Sequence, residues 1–405
     1  MGDRVVVTGI GVITSIGVGK DPFWEGCIQG KDGITPISDF DVSHLRSKLG
    51  GQVPDINFKE YIKPVNLRRM DRIGKMMVSA VSMALDDSGL DIEREDLDRV
   101  GIMVGTGLGS SKTVDLYYRG LLEEGPMGAT PLLFQTSVPN SICSHSSLEF
   151  GIRGVNATFS HKEASVESAI LFATRLLKRG TADVVFVGGG DEISEPLYHV
   201  YSTLGSLSPQ RSSFPEGMRP FDAHRNGFVL GEGSGVLVME ELEHARRRRA
   251  RIYGEVLSHG LAGSNFGVLK YDKEGKSLGK AMATASGGRR VDFICAAANA
   301  TRDLDVAETR AVKAAFEEGA RDISISSLKS MIGEFDGSGG PRACATVLAI
   351  YHRIIPPTIN YNAPDRDCDL DYTPNEAREK RVDRALLNGF SNGGSNISIL
   401  FGKYG

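Results

Sequence analysis

The chain is poor in the residues that would staple a small fold or anchor it in a bilayer. Only five cysteines occur in 405 residues, at positions 27, 143, 295, 344 and 368, and none forms a CxxC pair. An odd, dispersed set argues against a disulfide framework or a structural zinc site and points to a reducing, cytoplasmic setting. No stretch approaches the roughly 18 consecutive apolar residues of a helical membrane span. The opening MGDRVVVTGIGVITSIG has no basic leader and no small-residue cleavage site; its β-branched, glycine-punctuated run suits a buried strand and turn. An excess of one charge is missing too, because 51 acidic residues stand against 47 basic ones for a formal charge of −4. No global field is therefore available to hold nucleic acid or an anionic membrane. The run Arg246–Arg249 has no second basic cluster of its density beside it and reads as a solvated helix end, where cations complement the macrodipole. HExxH and P-loop motifs are absent. Gly105–Ser110 (GTGLGS) is spaced GxGxG rather than GxGxxG and reads as packing glycines at a strand end. No metal and no cofactor is expected.

What is present is ordinary globular material, 40% hydrophobic and 24% charged, long enough for two to three units or one large α/β body. Short apolar runs bounded by glycine recur at Arg4–Gly9, Val100–Gly105, Asp183–Gly188, Gly235–Met239, Phe293–Ala297, Thr346–Ile350 and Ile397–Phe401. Rich in valine and isoleucine, they predict strands buried on both faces. Between them lie helical patterns at Asp71–Ser88, Glu163–Arg179 and Asp305–Glu318. The alternation predicts a layered α/β architecture. A boundary is expected after HARRRRAR, giving an N-terminal half of residues 1–250 and a C-terminal half of 251–405 packed as one body.

Four stretches carry a family resemblance. RVVVTGIGVITSIG at the start, RPFDAHRNGFVLGEGSGVLVME at Arg219–Glu240, SLKSMIGEFDGSGG at Ser327–Gly340 and GFSNGGSN at Gly389–Asn396 resemble, in order and spacing, the signatures of the β-ketoacyl-acyl-carrier-protein synthases. The resemblance implies the thiolase fold: two pseudo-symmetric βαβαβαββ halves in a five-layer α-β-α-β-α body, working as a dimer with a long interface.

That family condenses acyl chains with a cysteine at a helix start and two histidines, the thiolate taking the acyl group and the imidazoles assisting decarboxylation. By resemblance, all three positions are altered here. Glu163 in GVNATFSHKEAS stands where the cysteine belongs. Asn299 in ANATRDLD replaces the first histidine. Glu334 replaces the histidine of "KSxxGH", while its lysine is kept as Lys329. A carboxylate nucleophile would give a mixed anhydride rather than a thioester, and neither Asn299 nor Glu334 can shuttle protons as imidazole does. Cys143, Cys295 and Cys344 read as small buried hydrophobes, and His161 as a hydrogen-bonded loop histidine. Glu163 at a helix N-terminus is expected to meet backbone N–H groups, and the two acids are expected to share Lys329, with Arg302 as a second cation.

Within the family, loss of the cysteine marks the chain length factor, the inactive partner of a catalytic ketosynthase in bacterial type II polyketide and aryl-polyene systems. The resemblance thus implies a noncatalytic subunit in a heterodimer, setting product length, with acyl carrier protein binding mainly through the catalytic partner. Tunnel walls are expected from Tyr117, Tyr118, Leu121, Leu132, Leu133 and Phe134. Asn392 occupies the position of a gating phenylalanine. Lys63, Arg68 and Arg69 match a carrier-protein docking cluster and read equally well as a solvated helix start. Two other readings stay open: a homodimeric acyl-binding or scaffold protein, and an acyl or CoA transferase using Glu163 covalently.

Overall fold

Valine- and isoleucine-rich runs need both faces covered, and the chain meets that need by folding one long sheet around a pair of helices. The computed structural model describes residues 4–211, 214–267 and 270–405. Five long segments of the N-terminal half, Val5–Thr14, Val100–Gly105, Asn156–Phe159, Val184–Asp191 and Gly233–Glu241, lie side by side. Five more, Gly254–Gly263, Phe293–Cys295, Ser324–Ser326, Arg384–Phe390 and Ser395–Gly402, repeat the pattern. Numbered by chain order within its half, each set runs 3-2-4-5-1 across the sheet. In both, strand 2 is parallel to strands 3 and 4, and strand 5 is antiparallel to strands 4 and 1. The halves meet where the two first strands pair antiparallel, Val5 to Val256, Val6 to Glu255 and Val7 to Gly254. Arg4 clamps the seam with a bidentate bond to Glu255.

Helices Arg72–Ser88 and Ser141–Phe150 cover the outer face of the N-terminal half-sheet; Lys276–Ser286 and Arg302–Phe316 cover that of the C-terminal one. Helices Ser165–Lys178 and Gly339–His352 are sandwiched inside, each touching strands of both halves. The result is the five-layer thiolase fold. Arg72–Ser88 begins where Asp71 accepts a bond from the Gly74 N–H at 2.9 Å, and it ends at Gly89 in the left-handed region. The inner helix Gly339–His352 is buried without a break from Gly339 to Ile350. For that reason Thr346–Ile350, expected as a strand, is helical: a segment apolar all round has no period to distinguish the two. The other strand and helix expectations fall within a few residues of the observed elements.

The inner layers approach closely because glycines line the contact. A Cβ on Gly340 would sit 2.6 Å from the carbonyl oxygens of Gly189 and Gly235. The inner helices are also tied by charge, Arg342 reaching Glu167 at 3.3 Å and donating to the carbonyls of Cys295 and Asn388. Near Gly105–Ser110 the packing reading of the glycines holds. The loop wraps Asp191, whose carboxylate accepts bonds from the Thr106 hydroxyl and the Gly107 N–H at 2.6 and 3.0 Å.

Candidate functional site

Four chain reversals converge where the two halves face each other. The first is the turn between strand Asn156–Phe159 and the inner helix Ser165–Lys178, which carries Glu163 just after Lys162 at φ 54°. The second, Asn299–Thr301, precedes helix Arg302–Phe316 and passes through Ala300 at φ 66°. The third follows the one-turn helix Lys329–Ile332. Gly333 turns there at φ 79° with no room for a Cβ, which would lie 2.8 Å from the Gly231 nitrogen, and so delivers Glu334 inward. The fourth is the loop Ser391–Gly394 with Asn392. Glu163, Asn299, Glu334 and Asn392 all line one cavity of about 790 Å³.

Glu163 is buried, and its partners come from across the cavity rather than from its own helix. Oε1 accepts from the Asn392 side-chain amide at 3.1 Å and from the Tyr271 hydroxyl at 3.4 Å, and Oε2 accepts from the Asn392 N–H at 3.3 Å. In place of the expected capping of its own helix, the carboxylate meets the backbone and side chain of Asn392 in the loop Ser391–Gly394. Lys329 is wholly buried and donates to the Ala297 carbonyl at 2.9 Å and to Glu334 Oε2 at 2.7 Å. It bridges only Glu334, and Glu163 lies outside ion-pair distance of it. Arg302 is not a second cation of the cluster: its guanidinium is exposed and reaches the Ala223 carbonyl at 3.4 Å. It begins a surface helix, which holds it at the cavity rim. Asn299 spends its side-chain oxygen on the Thr301 N–H and hydroxyl, at 3.2 and 2.6 Å, which closes the turn before the helix.

The electrostatics follow from burying acids together. Desolvation, then repulsion from Glu334, pushes the Glu163 carboxyl up from its usual range. Burial pushes Asp336 well above it, helped by Glu163 and Asp191. Glu192, on the same wall, rises to about 8 through burial and the charge of Asp71. Tyr271, Asp191, Glu192 and Asp336 carried no sequence signal as site residues; Asp336 lies inside the quoted stretch Ser327–Gly340 and could have been found two residues beyond Glu334. No cysteine and, apart from His224, no histidine is among the described residues lining the cavity. His224 stacks on Phe214 with ring centroids 4.3 Å apart and sits 3.3 Å from Asp222. The five cysteines are buried, and desolvation lifts the thiols of Cys143 and Cys368 to about 12. His161 is a loop residue bonded through Nδ1 to the Ser168 hydroxyl at 2.8 Å.

The residues expected to wall a tunnel lie elsewhere. Tyr117, Tyr118 and Leu121 are on helix Ser111–Glu124, and Leu132, Leu133 and Phe134 on helix Pro131–Thr136. Tyr117 packs on Tyr118 and Phe134 with ring centroids 5.7 and 5.8 Å apart. None of the six lines the 790 Å³ cavity. Tyr118, Leu132 and Phe134 are exposed, as are the neighbouring Leu116, Leu122 and Met127, Leu122 82% and Met127 94%, while Tyr117, Leu121 and Leu133 are half-buried. Strand Asn156–Phe159 ends the sheet and, among the described residues, pairs only with Val100–Gly105. Lys63, Arg68 and Arg69 flank the short helix Pro64–Leu67, all exposed. No described helix is long and apolar enough to cross a membrane.

Comparison with known proteins agrees with this architecture. The β-ketoacyl synthase N-terminal domain matches residues 2–245, and the β-ketoacyl synthase C-terminal domain matches residues 252–362. A 3-oxoacyl-[acyl-carrier-protein] synthase 2 of Synechocystis sp. is 38% identical, over 99% of this chain and 98% of its own length. The enzyme of the same name from Vibrio harveyi is 34% identical over equal shares. Among solved structures, the ishigamide ketosynthase/chain length factor superposes with a TM-score of 0.91 at 31% identity, covering all of both chains. A type II polyketide synthase acyl-carrier protein in complex with its ketosynthase gives 0.92 at 26% identity, again with full coverage of both chains. The chain belongs to the β-ketoacyl synthase family.

Proposed function

We propose that this β-ketoacyl synthase family member is a noncatalytic subunit of the chain-length-factor kind. It pairs with an active ketosynthase in bacterial type II polyketide or aryl-polyene synthesis and sets how long the acyl chain grows. The observation that carries the reading is the contact of Glu163 with Asn392. At the position where the family's signature has a thiolate beside a phenylalanine gate, this chain has a buried carboxyl held by an amide. Burial and Glu334 hold that carboxyl toward its neutral form, which is a weaker nucleophile still. Lys329 and Glu334 form an ion pair where an imidazole would have to move a proton. Likeness to the ishigamide ketosynthase/chain length factor supports the reading at the level of the whole chain.

The exposed apolar face and the unpaired sheet edge supply a surface for the partner. Tyr117, Tyr118, Leu121, Leu132, Leu133 and Phe134 would then meet the growing chain only in the assembled pair. Carrier protein would dock mainly on the catalytic subunit, with Lys63, Arg68 and Arg69 as the contact this subunit adds. The test is native mass spectrometry of the chain co-expressed with a cysteine-bearing ketosynthase encoded beside it. A one-to-one heterodimer is expected. A stable homodimer that ignores the ketosynthase would overturn the reading in favour of an acyl-binding homodimer, which the retained cavity would suit. The covalent transferase alternative predicts a hydroxylamine-trappable acyl group on Glu163 after exposure to acyl-CoA.

A further inference from the structure

The cavity between the halves is acidic at depth, and the protein leaves part of that acidity unanswered. Glu334 Oε1 and Glu192 Oε2 are buried oxygens with no donor, on residues only 4% and 2% exposed that line the cavity. Among the described residues, no hydrogen bond reaches the Asp336 carboxylate on the same wall. The buried cations are committed, Lys329 to Ala297 and the other oxygen of Glu334, and Arg225 to Asp305 and Asp365 at 3.5 and 2.6 Å; Arg211 and Arg302 also line the cavity, as exposed residues. Unanswered buried acceptors are costly, and a ligand that brings donors and positive charge recovers that cost. Among the described residues, no group of three acids, histidines or cysteines is arranged to hold a metal. Leu197, Tyr201, Leu204 and Phe228 give the same cavity an apolar and aromatic part; the Tyr201 and Phe228 rings meet edge to face at 5.3 Å.

We propose that this cavity binds a small organic amine, its ammonium between Glu334 and Asp336 and its hydrocarbon against Tyr201, Leu204 and Phe228. An ammonium offers three donors to acceptors that lack them, and its flanks suit aromatic faces. A neutral thioester arm would bring carbonyl oxygens toward carboxylates and is disfavoured at the same depth. The raised Glu163 and Asp336 carboxyls add a signature: the cation favours their ionised forms, so binding expels protons. The inference goes beyond the partner-subunit reading and does not depend on it.

The experiment is isothermal titration of the purified protein, in whichever assembly it adopts, with benzylamine and with benzyl alcohol at neutral pH. Each titration is run in two buffers of different ionisation heat. Benzylamine is expected to bind at least about tenfold more tightly than the alcohol, with proton release. Asp336→Asn, at a carboxylate with no hydrogen bond from the described residues, is expected to weaken the amine about tenfold and leave the alcohol unchanged. Glu334→Gln is the second variant and should act in the same direction. Equal binding of amine and alcohol, no amine binding at millimolar concentration, or tighter binding of pantetheine than of benzylamine would each overturn the proposal.

Discussion

Lys329 and Glu334 show how a buried charge depends on its partner. A lysine with 0% exposure is stable only while its charge is answered, here by one carboxylate and one carbonyl. Lys329→Met removes the answer to Glu334 and is expected to destabilise the fold by about 3–5 kcal/mol in urea titration. Adding Glu334→Gln to it should recover part of that loss, which a purely steric role for Lys329 would not allow. Glu192 gives the chain a pH dependence of its own. An acid whose folded-state pKa is raised loses stability as pH climbs from its ordinary value of 4.5 toward about 8. At about 1.4 kcal/mol per pH unit, the penalty above that window is at most about 5 kcal/mol. Glu192→Gln is therefore expected to be more stable relative to the native chain at pH 8 than at pH 5, by denaturation at the two pH values. On the functional side, the proposed noncatalytic role predicts that Glu163→Cys alone shows no condensation of malonyl-carrier-protein in a radiochemical assay, since neither Asn299 nor Glu334 can move a proton as imidazole does.

Elements explain which parts of the molecule were legible in the sequence. Strands such as Val100–Gly105 announced themselves because β-branched runs end at glycines, and Arg72–Ser88 because Asp71 and Gly89 punctuate it. The inner helix at Thr346–Ile350 did not, since burial on every side erases its period. At the site, Glu163, Asn299 and Glu334 could be singled out because stretches resembling family signatures flank them, and all three line one cavity. The pairing among them could not: Asn392 lies 229 residues from Glu163, and which acid captures Lys329 depends on the Gly333 turn. Tyr271 and Glu192 sit in stretches without any motif. The close layer contact makes an element-level prediction. Gly340→Ala forces a methyl against the Gly189 and Gly235 carbonyls and is expected to cost about 2–3 kcal/mol, read as a lowered Tm, whereas Gly180→Ala meets no atom within 4 Å and costs only its left-handed backbone.

At the scale of the molecule, the exposed apolar residues Leu122 and Phe134 and the open strand Asn156–Phe159 are left uncovered. Leu122→Glu with Phe134→Asp is expected to abolish the proposed pairing with a ketosynthase on size-exclusion chromatography while leaving the circular dichroism spectrum unchanged. Phe134→Ala alone should keep the pair and lengthen the product.

The seam between the halves bears on how the protein is made. The strand Val5–Thr14 is made early, yet the strand it meets at Val256–Gly254 comes about 250 residues later. Helix Ser165–Lys178 likewise waits for strands Arg384–Phe390 and Ser395–Gly402, at the very end of the chain, to cover its second face. Throughout synthesis the nascent N-terminal half therefore holds an uncovered apolar helix and an open sheet edge on each side. Chaperone capture during translation, and insolubility of a fragment ending near residue 250, are the expected cost of building one sheet from two copies of the same plan.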